Sequence, residues 1–306
     1  MSIDVEAKPY PGVIQLVANS DGWKLQQTEF NLDPSRFVTG NPNIVSQTPV
    51  ELVEPLQKAW LTTQKQRPTD FNGLKVAVEA LIVRADGVLV TEGYLTDYFT
   101  LWGIPKAAPE EFKKHSETVV INQGRKPSAI YEASLPWGVC THNMLLDGNG
   151  DMLMLIRSQG QGFHAGRVSV TEEEQMDPDR DISPFNAAYT SYWEELGIFV
   201  PTHTLRLLGV AMEIGAAYPA YAFISSTDEV ASNIVEKWRN AQDYKENTAL
   251  FAVPMTKVDE WSKEQVTSDI WNKYHLGGEI SPDAVLSLHS TSPWRLELAR
   301  KYTQSI

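Results

Sequence analysis

The chain has 306 residues, 42% hydrophobic and 10% aromatic, enough for a large core in one big domain or two unequal ones, and extended disorder is excluded. Lys and Arg number 26 against 39 Asp and Glu, a net charge of −13 that opposes a nucleic-acid backbone, although a bound divalent cation reverses the sign locally for a small anionic ligand. One cysteine, Cys140 in the apolar run WGVCTHNMLL, excludes an internal disulfide and a multi-cysteine zinc site and reads as a buried structural thiol. With no apolar stretch of membrane-spanning length, the expectation is a soluble, cytoplasmic protein with neither a membrane nor a nucleic-acid partner.

Residues 1–73 are rich in Pro, Asn, Thr and Gln, and their one strongly periodic stretch is PVELVEPLQKAWLTTQKQ, whose Val50, Leu52, Val53, Leu56, Ala59 and Trp60 form an apolar stripe on a helix. Two β-branched runs around Ala85-Asp86-Gly87 predict a hairpin, and DGNGD closes a second hairpin in WGVCTHNMLLDGNGDMLMLIRS. Between them, residues 105–135 read as a polar connector with a short helix. The strand GRVSV is followed by TEEEQMDPDRDIS, expected to be a polar loop. A helix from Pro184 to Leu196 is marked at both ends, with Ser183 as N-cap, Pro184 at the first position and Gly197 as the left-handed stop. Strands in LRLLGVAMEIG, YPAYAFISS and TALFAVPM alternate with a helix in TDEVASNIVEKWRNAQDY, then a short helix over KVDEWSKE and a final one from Ser281-Pro282 to about Tyr302. From residue 137 the order β-β-β-α-β-β-α-β-α suits a sheet covered by helices on both sides.

On the helix, Ser191, Glu194 and Glu195 share a face. Two adjacent carboxylates repel each other and sit where the macrodipole disfavours them, and no Lys or Arg occurs in SPFNAAYTSYWEELGI. Hard oxygen ligands of this kind suit Mg²⁺ or Mn²⁺, whereas the alternative reading is a solvated pair at a helix end.

The stretch NAAYTSYWEELGI resembles the second half of the Nudix box, G-x5-E-x7-R-E-U-x-E-E-x-G-U with U aliphatic: Glu194, Glu195, Gly197 and Ile198 match its close. Thr190-Ser191 stand where the family has Arg-Glu, and an ungapped count puts Ile182 and Met176 at the earlier Glu and Gly. The resemblance implies an α/β fold, a Nudix-like α/β/α sandwich with a mixed sheet over residues 136–306, preceded by an N-terminal extension of residues 1–135 that covers the domain or forms a homodimer surface. It further implies Mg²⁺ or Mn²⁺ held by Glu194 and Glu195, with Asp181 and Glu174 from the acidic run completing the set, and Glu246 as the base that activates water. The implied activity is hydrolysis of a nucleoside diphosphate linked to another moiety, a small nucleotide-like ligand. The alternatives are an inactive nucleotide-binding or sensor protein with the same fold, and an interaction protein that uses the sheet as scaffold.

Arg157, His164 and Arg167 flank the second hairpin and either contact substrate phosphate or pair with the acidic run. Tyr94, Tyr98, Phe99 and Trp102 read as packing or as a stacking wall for a ring, and His142 as a hydrogen-bonded core histidine. No nucleophile elbow and no dinucleotide-binding glycine fingerprint occurs.

Overall fold

The computed structural model of the protein describes residues 3–5, 8–10, 12–107, 109, 110, 112, 131–159, 165–213, 215, 216, 218–258, 273–280 and 287–305. The elements before the second hairpin are β1 (Ile3–Asp4), β2 (Lys8–Tyr10), β3 (Val13–Trp23), β4 (Thr28–Phe37), α1 (Val50–Gln66), β5 (Leu74–Val83), β6 (Leu89–Asp97) and α2 (Tyr98–Ala107). There follow β7 (Tyr131–Gly138), β8 (Cys140–Leu146), β9 (Asp151–Arg157), β10 (Val168–Ser169), β11 (Glu172–Gln175) and α3 (Pro184–Leu196). The chain continues through β12 (Arg206–Glu213), β13 (Pro219–Ser226), α4 (Ala231–Trp238), β14 (Asn247–Pro254), β15 (His275–Gly278) and α5 (Ser292–Ser305).

Two mixed sheets carry this α/β protein. The larger runs β1-β3-β12-β13-β8-β9-β14-β15, with β2 beside β3, β10 beside β9 and β11 beside β8; the smaller runs β4-β6-β5-β7. Among the described strands, β13–β8 and β4–β6 are the parallel pairs and the others run antiparallel. Along β9 the side chains alternate between two cores: Leu153 and Leu155 face one, Met152, Met154 and Ile156 the other. The first core holds α3, α4, α1 and the small sheet, and the second is closed by α5 through Trp294, Leu296, Leu298 and Ala299. Both faces of the sheet are thereby buried, which is why its strands read as near-continuous apolar runs.

Both hairpins form where their turn residues stand, with Gly87 at φ +82° and Gly150 at φ +79°. The second one opens: β8 and β9 pair directly only at Leu146 and Met152. The wedge is filled by β10 along β9 and β11 along β8, joined at Thr171, a residue with φ +57°. Its hydroxyl donates to Leu153 O at 2.7 Å and accepts from Leu145 N at 3.1 Å, so one side chain ties the splayed strands together.

Three expectations change. The acidic run 172–175 is a strand, not a loop, with Glu172, Glu173 and Glu174 opposite Asn143, His142 and Thr141. The last helix starts at Ser292, because Leu288 still forms a β-bridge to Val168; residues 281–286 lie outside the described residues. On α1, Leu52, Leu56, Ala59 and Trp60 are buried as the stripe requires, while Val50 is 88% exposed. The expected helix over KVDEWSKE falls largely on residues 259–264, outside the described residues.

Candidate functional site

The local signals at α3 act as written. Ser183 accepts a hydrogen bond from Asn186 N at 3.2 Å, and Gly197 stops the helix at φ +67°, where a Cβ would approach Lys237 O to 2.8 Å. Tyr192 Oη donates to Met144 O at 2.8 Å and pins the helix to β8. The chain returns to the helix end in a short 3-10 turn (Tyr244–Glu246), where Asp243 N donates to Glu194 O at 2.9 Å. That contact brings Glu246 into the neighbourhood of α3.

Period-two alternation along β11 sends Glu172 and Glu174 toward α3 and Glu173 to the other side. Glu172 is 1% exposed, and its Oε1 lies 3.2 Å from Ser191 Oγ, which accepts from Asn143 Nδ2 at 2.7 Å. Glu195, 3% exposed, accepts from Asn247 Nδ2 at 2.9 Å through Oε2. Among the described residues, Glu172 Oε2 and Glu195 Oε1 have no hydrogen-bond partner. Burial pushes Glu195 well above the ordinary carboxylate range, and Glu172, Glu246 and Glu174 push it further. Glu172 is also raised well above that range by burial, against the opposing Ser191 hydrogen bond.

The other proposed acids have a cation already. Arg180, in the segment between β11 and α3, forks onto Glu194 with Nη1 at 3.0 and 2.7 Å from its two oxygens. Its Nη2 reaches Glu174 at 3.1 Å and Asp181 at 3.1 Å. The absence of Lys and Arg from the helix itself was therefore a poor guide, since the partner comes from 14 residues upstream. Asp181 also accepts from Asp177 N at 3.0 Å and serves to fold its own turn. Glu174 is pushed up to about 7 by burial, with Arg180 and Lys75 opposing. Burial likewise raises Glu194, again against Arg180.

On the far side, Glu173 is a hub: Arg295 Nη2 lies at 2.8 Å, Arg157 Nη1 at 3.1 Å, His289 Nε2 at 3.1 Å and His142 Nδ1 at 3.5 Å. Burial alone would raise this carboxyl, but His289, Arg157, His142 and Arg295 outweigh it and hold it well below the usual range. His142 is the core histidine expected, with Thr291 Oγ1 at 3.2 Å from its Nδ1.

An open cleft of about 520 Å³ is lined from the large-sheet side by Arg157, Glu173, Glu174, Gln175, Asp177 and Glu246; Glu172 and Glu195 are buried and are not among its lining residues. The small-sheet side contributes Asp70, Phe71, Gly73, Lys75 and Tyr98. Glu246 and Arg157 thus stand in one cleft with Glu174, and Arg157 is at the same time paired with Glu173. Arg167 is fixed to Arg157 through its backbone, Arg157 N to Arg167 O at 2.9 Å, while His164 lies outside the described residues. Of the aromatic cluster, Tyr98 lines the cleft, whereas Tyr94, Phe99 and Trp102 are buried.

Glu172 and Arg180 are the two residues that reading the run as a loop obscured. Three consecutive glutamates show no alternation that would announce a strand, so only the pairing of β11 with β8 puts Glu172 and Glu174 on one face. Among the described residues no group of three or more His, Cys, Asp or Glu is arranged to hold a metal ion. Glu172 Oε2 and Glu195 Oε1 are hard oxygens of the kind Mg²⁺ or Mn²⁺ take, ions commonly held by one or two carboxylates plus water and substrate phosphate rather than by a closed protein cage.

No family model matches the chain, and no curated protein matches it. Among solved structures, the chain is similar to a MutT protein from Methanosarcina mazei Go1, at 16% identity over 56% of this chain and 95% of that one, with a TM-score of 0.33. It is also similar to a MutT/nudix family protein from Enterococcus faecalis, at 12% identity over 65% of this chain and 73% of that one, with a TM-score of 0.31.

Proposed function

We propose that the cleft binds a nucleoside diphosphate linked to another moiety and hydrolyses the diphosphate. The reading is carried by one observation: Glu172 and Glu195 are buried together, each with a carboxylate oxygen that no described residue satisfies. Two buried acids in this state are costly unless a cation or a proton resolves them. The resemblance of the helix end to the Nudix box supports the same reading. Glu195 and Glu172 would hold Mg²⁺ or Mn²⁺, with Glu174 and Glu194 at hand when Arg180 releases them. Such an ion, when bound, neutralises phosphate charge and acidifies water.

The chain's own groups divide the remaining work. Ser191 and Asn143 fix the Glu172 side of the pair, and Asn247 fixes Glu195. Arg157, anchored by Glu173, presents a rigid cation to phosphate oxygens in the cleft. Glu246, which lines the same cleft, would take a proton from water. The test is release of the two cleavage products from a panel of sugar- and nucleoside-linked nucleoside diphosphates with Mg²⁺ or Mn²⁺. Turnover should vanish in Glu172→Gln plus Glu195→Gln; full turnover in that double variant refutes the assignment.

A second reading, nucleotide binding without turnover, is favoured by the Arg180 clamp, which occupies three of the acids a fuller metal site would need. It requires ligand-induced thermal stabilisation with no product formed.

A further inference from the structure

The cleft has a second wall that the chemistry above does not use. Phe71 stands on it 89% exposed, an unusual position for a large apolar ring in a cleft lined mostly by charged groups. Its backbone is not loose. Asp70 N donates to Arg67 O at 3.2 Å and the Asp70 carboxylate pairs with Arg67 Nε at 2.6 Å, while Asn72 Oδ1 accepts from Phe99 N at 2.8 Å and Gly73 O accepts from Tyr98 N at 3.0 Å. The segment is therefore tied on both sides of Phe71 to α1 and to the start of α2. Its ring lies along Gly73, where an added Cβ would come within 3.0 Å of the ring edge. Tyr98 stands beside it, its hydroxyl accepting from Arg67 Nη1 at 3.0 Å.

Two residues beyond Gly73, on β5, Lys75 lines the same wall; its charge acts on Glu174 but makes no direct ion pair among the described residues. Of the other charged lining groups, Asp70, Glu173, Glu174 and Arg157 are in ion pairs, and Asp177 and Glu246 line the cleft as well. A fixed, exposed ring and an available ammonium on one wall match a planar base joined to a phosphate chain: the ring stacks, and the ammonium attracts the anion as a point charge.

We propose that Phe71, backed by Tyr98, is the base-stacking subsite of the cleft and that Lys75 receives the adjoining phosphate, so that the segment between α1 and β5 selects nucleoside diphosphates over pyrophosphate itself. This rests on the reading of the cleft as a nucleotide site but not on turnover. It is tested on the full chain by titration calorimetry with ADP, UDP and inorganic pyrophosphate, each with Mg²⁺. Phe71→Ala should weaken ADP and UDP about fivefold or more and leave pyrophosphate within about twofold, since a stacked base is commonly worth at least that factor. Phe71→Trp should retain nucleotide affinity, and Lys75→Ala should weaken all three ligands. The ring of Phe71 is exposed, so the melting midpoint serves as a control for intact folding. The proposal fails if Phe71→Ala leaves nucleotide affinity unchanged, if it weakens pyrophosphate equally, or if the wild-type chain binds neither ADP nor UDP. Tight nucleotide binding that needs Phe71 but yields no product would refute hydrolysis and uphold the subsite.

Discussion

At Glu195 the side chain carries a charge that its surroundings resist. Its folded-state pKa lies above the unfolded value of about 4.3, first because of burial and then because Glu172 is near. A raised carboxyl stabilises the fold fully below the unfolded pKa, and the contribution is lost as pH rises through the folded value. In chelator, Glu195→Gln should therefore melt with the wild type at pH 4 and several degrees above it at pH 8. Removing one buried uncompensated charge is worth about 1–3 kcal/mol, and each kcal/mol shifts the midpoint of a large domain by about 2–4 °C. Added Mg²⁺ should raise the wild-type midpoint and leave the Gln variant where it was. Equal midpoints at pH 8 would mean the acid is not strained. Cys140 makes a simpler case: burial lifts its thiol well above the ordinary value, so a thiol reagent at pH 8 should modify it only after denaturant unfolds the chain.

Among the elements, those announced by their own end residues were readable from sequence. Ser183, Pro184 and Gly197 bound α3 as written, and Gly87 and Gly150 turn their hairpins. Elements decided by distant residues were not: β11 carries three consecutive glutamates, yet it is a strand because His289 and Arg295, more than a hundred residues later, receive Glu173. The same blindness hid Arg180, whose partners lie on a strand before it and a helix after it. This clamp makes a prediction at the scale of β11 and α3 together. Arg180→Ala leaves Glu174, Asp181 and Glu194 without their shared cation; because the arginine is part-exposed, the cost should be only about 1 kcal/mol. Divalent cation should then bind more readily, so Mg²⁺ should raise the melting midpoint of this variant more than that of the wild type. Identical shifts in the two proteins would show that Arg180 does not compete with metal.

Across the whole molecule, the N-terminal segment is woven into the large sheet. β3 supplies the outer partner of β12 along most of that strand, from Trp23 opposite Leu207 to Val13 opposite Glu213. Trp294 of α5 donates to Gln15 Oε1 at 3.1 Å inside the second core, and Trp23 Nε1 donates to Gly87 O at 2.9 Å, linking the two sheets. None of this was visible in a Pro- and Asn-rich stretch whose apolar residues find their partners two hundred positions away, a pairing that sequence periodicity cannot report. Residues 136–306 expressed alone would leave β12 as an unpaired edge flanked by Leu207, Leu208 and Val210, all buried in the intact chain, and would strand the indole of Trp294 without its acceptor. That fragment should be aggregated or lack fixed tertiary packing, with near-ultraviolet circular dichroism lost while the full chain melts cooperatively. A soluble fragment with a native near-ultraviolet spectrum and a sharp transition would instead make β3 an addition to a sheet that is complete without it.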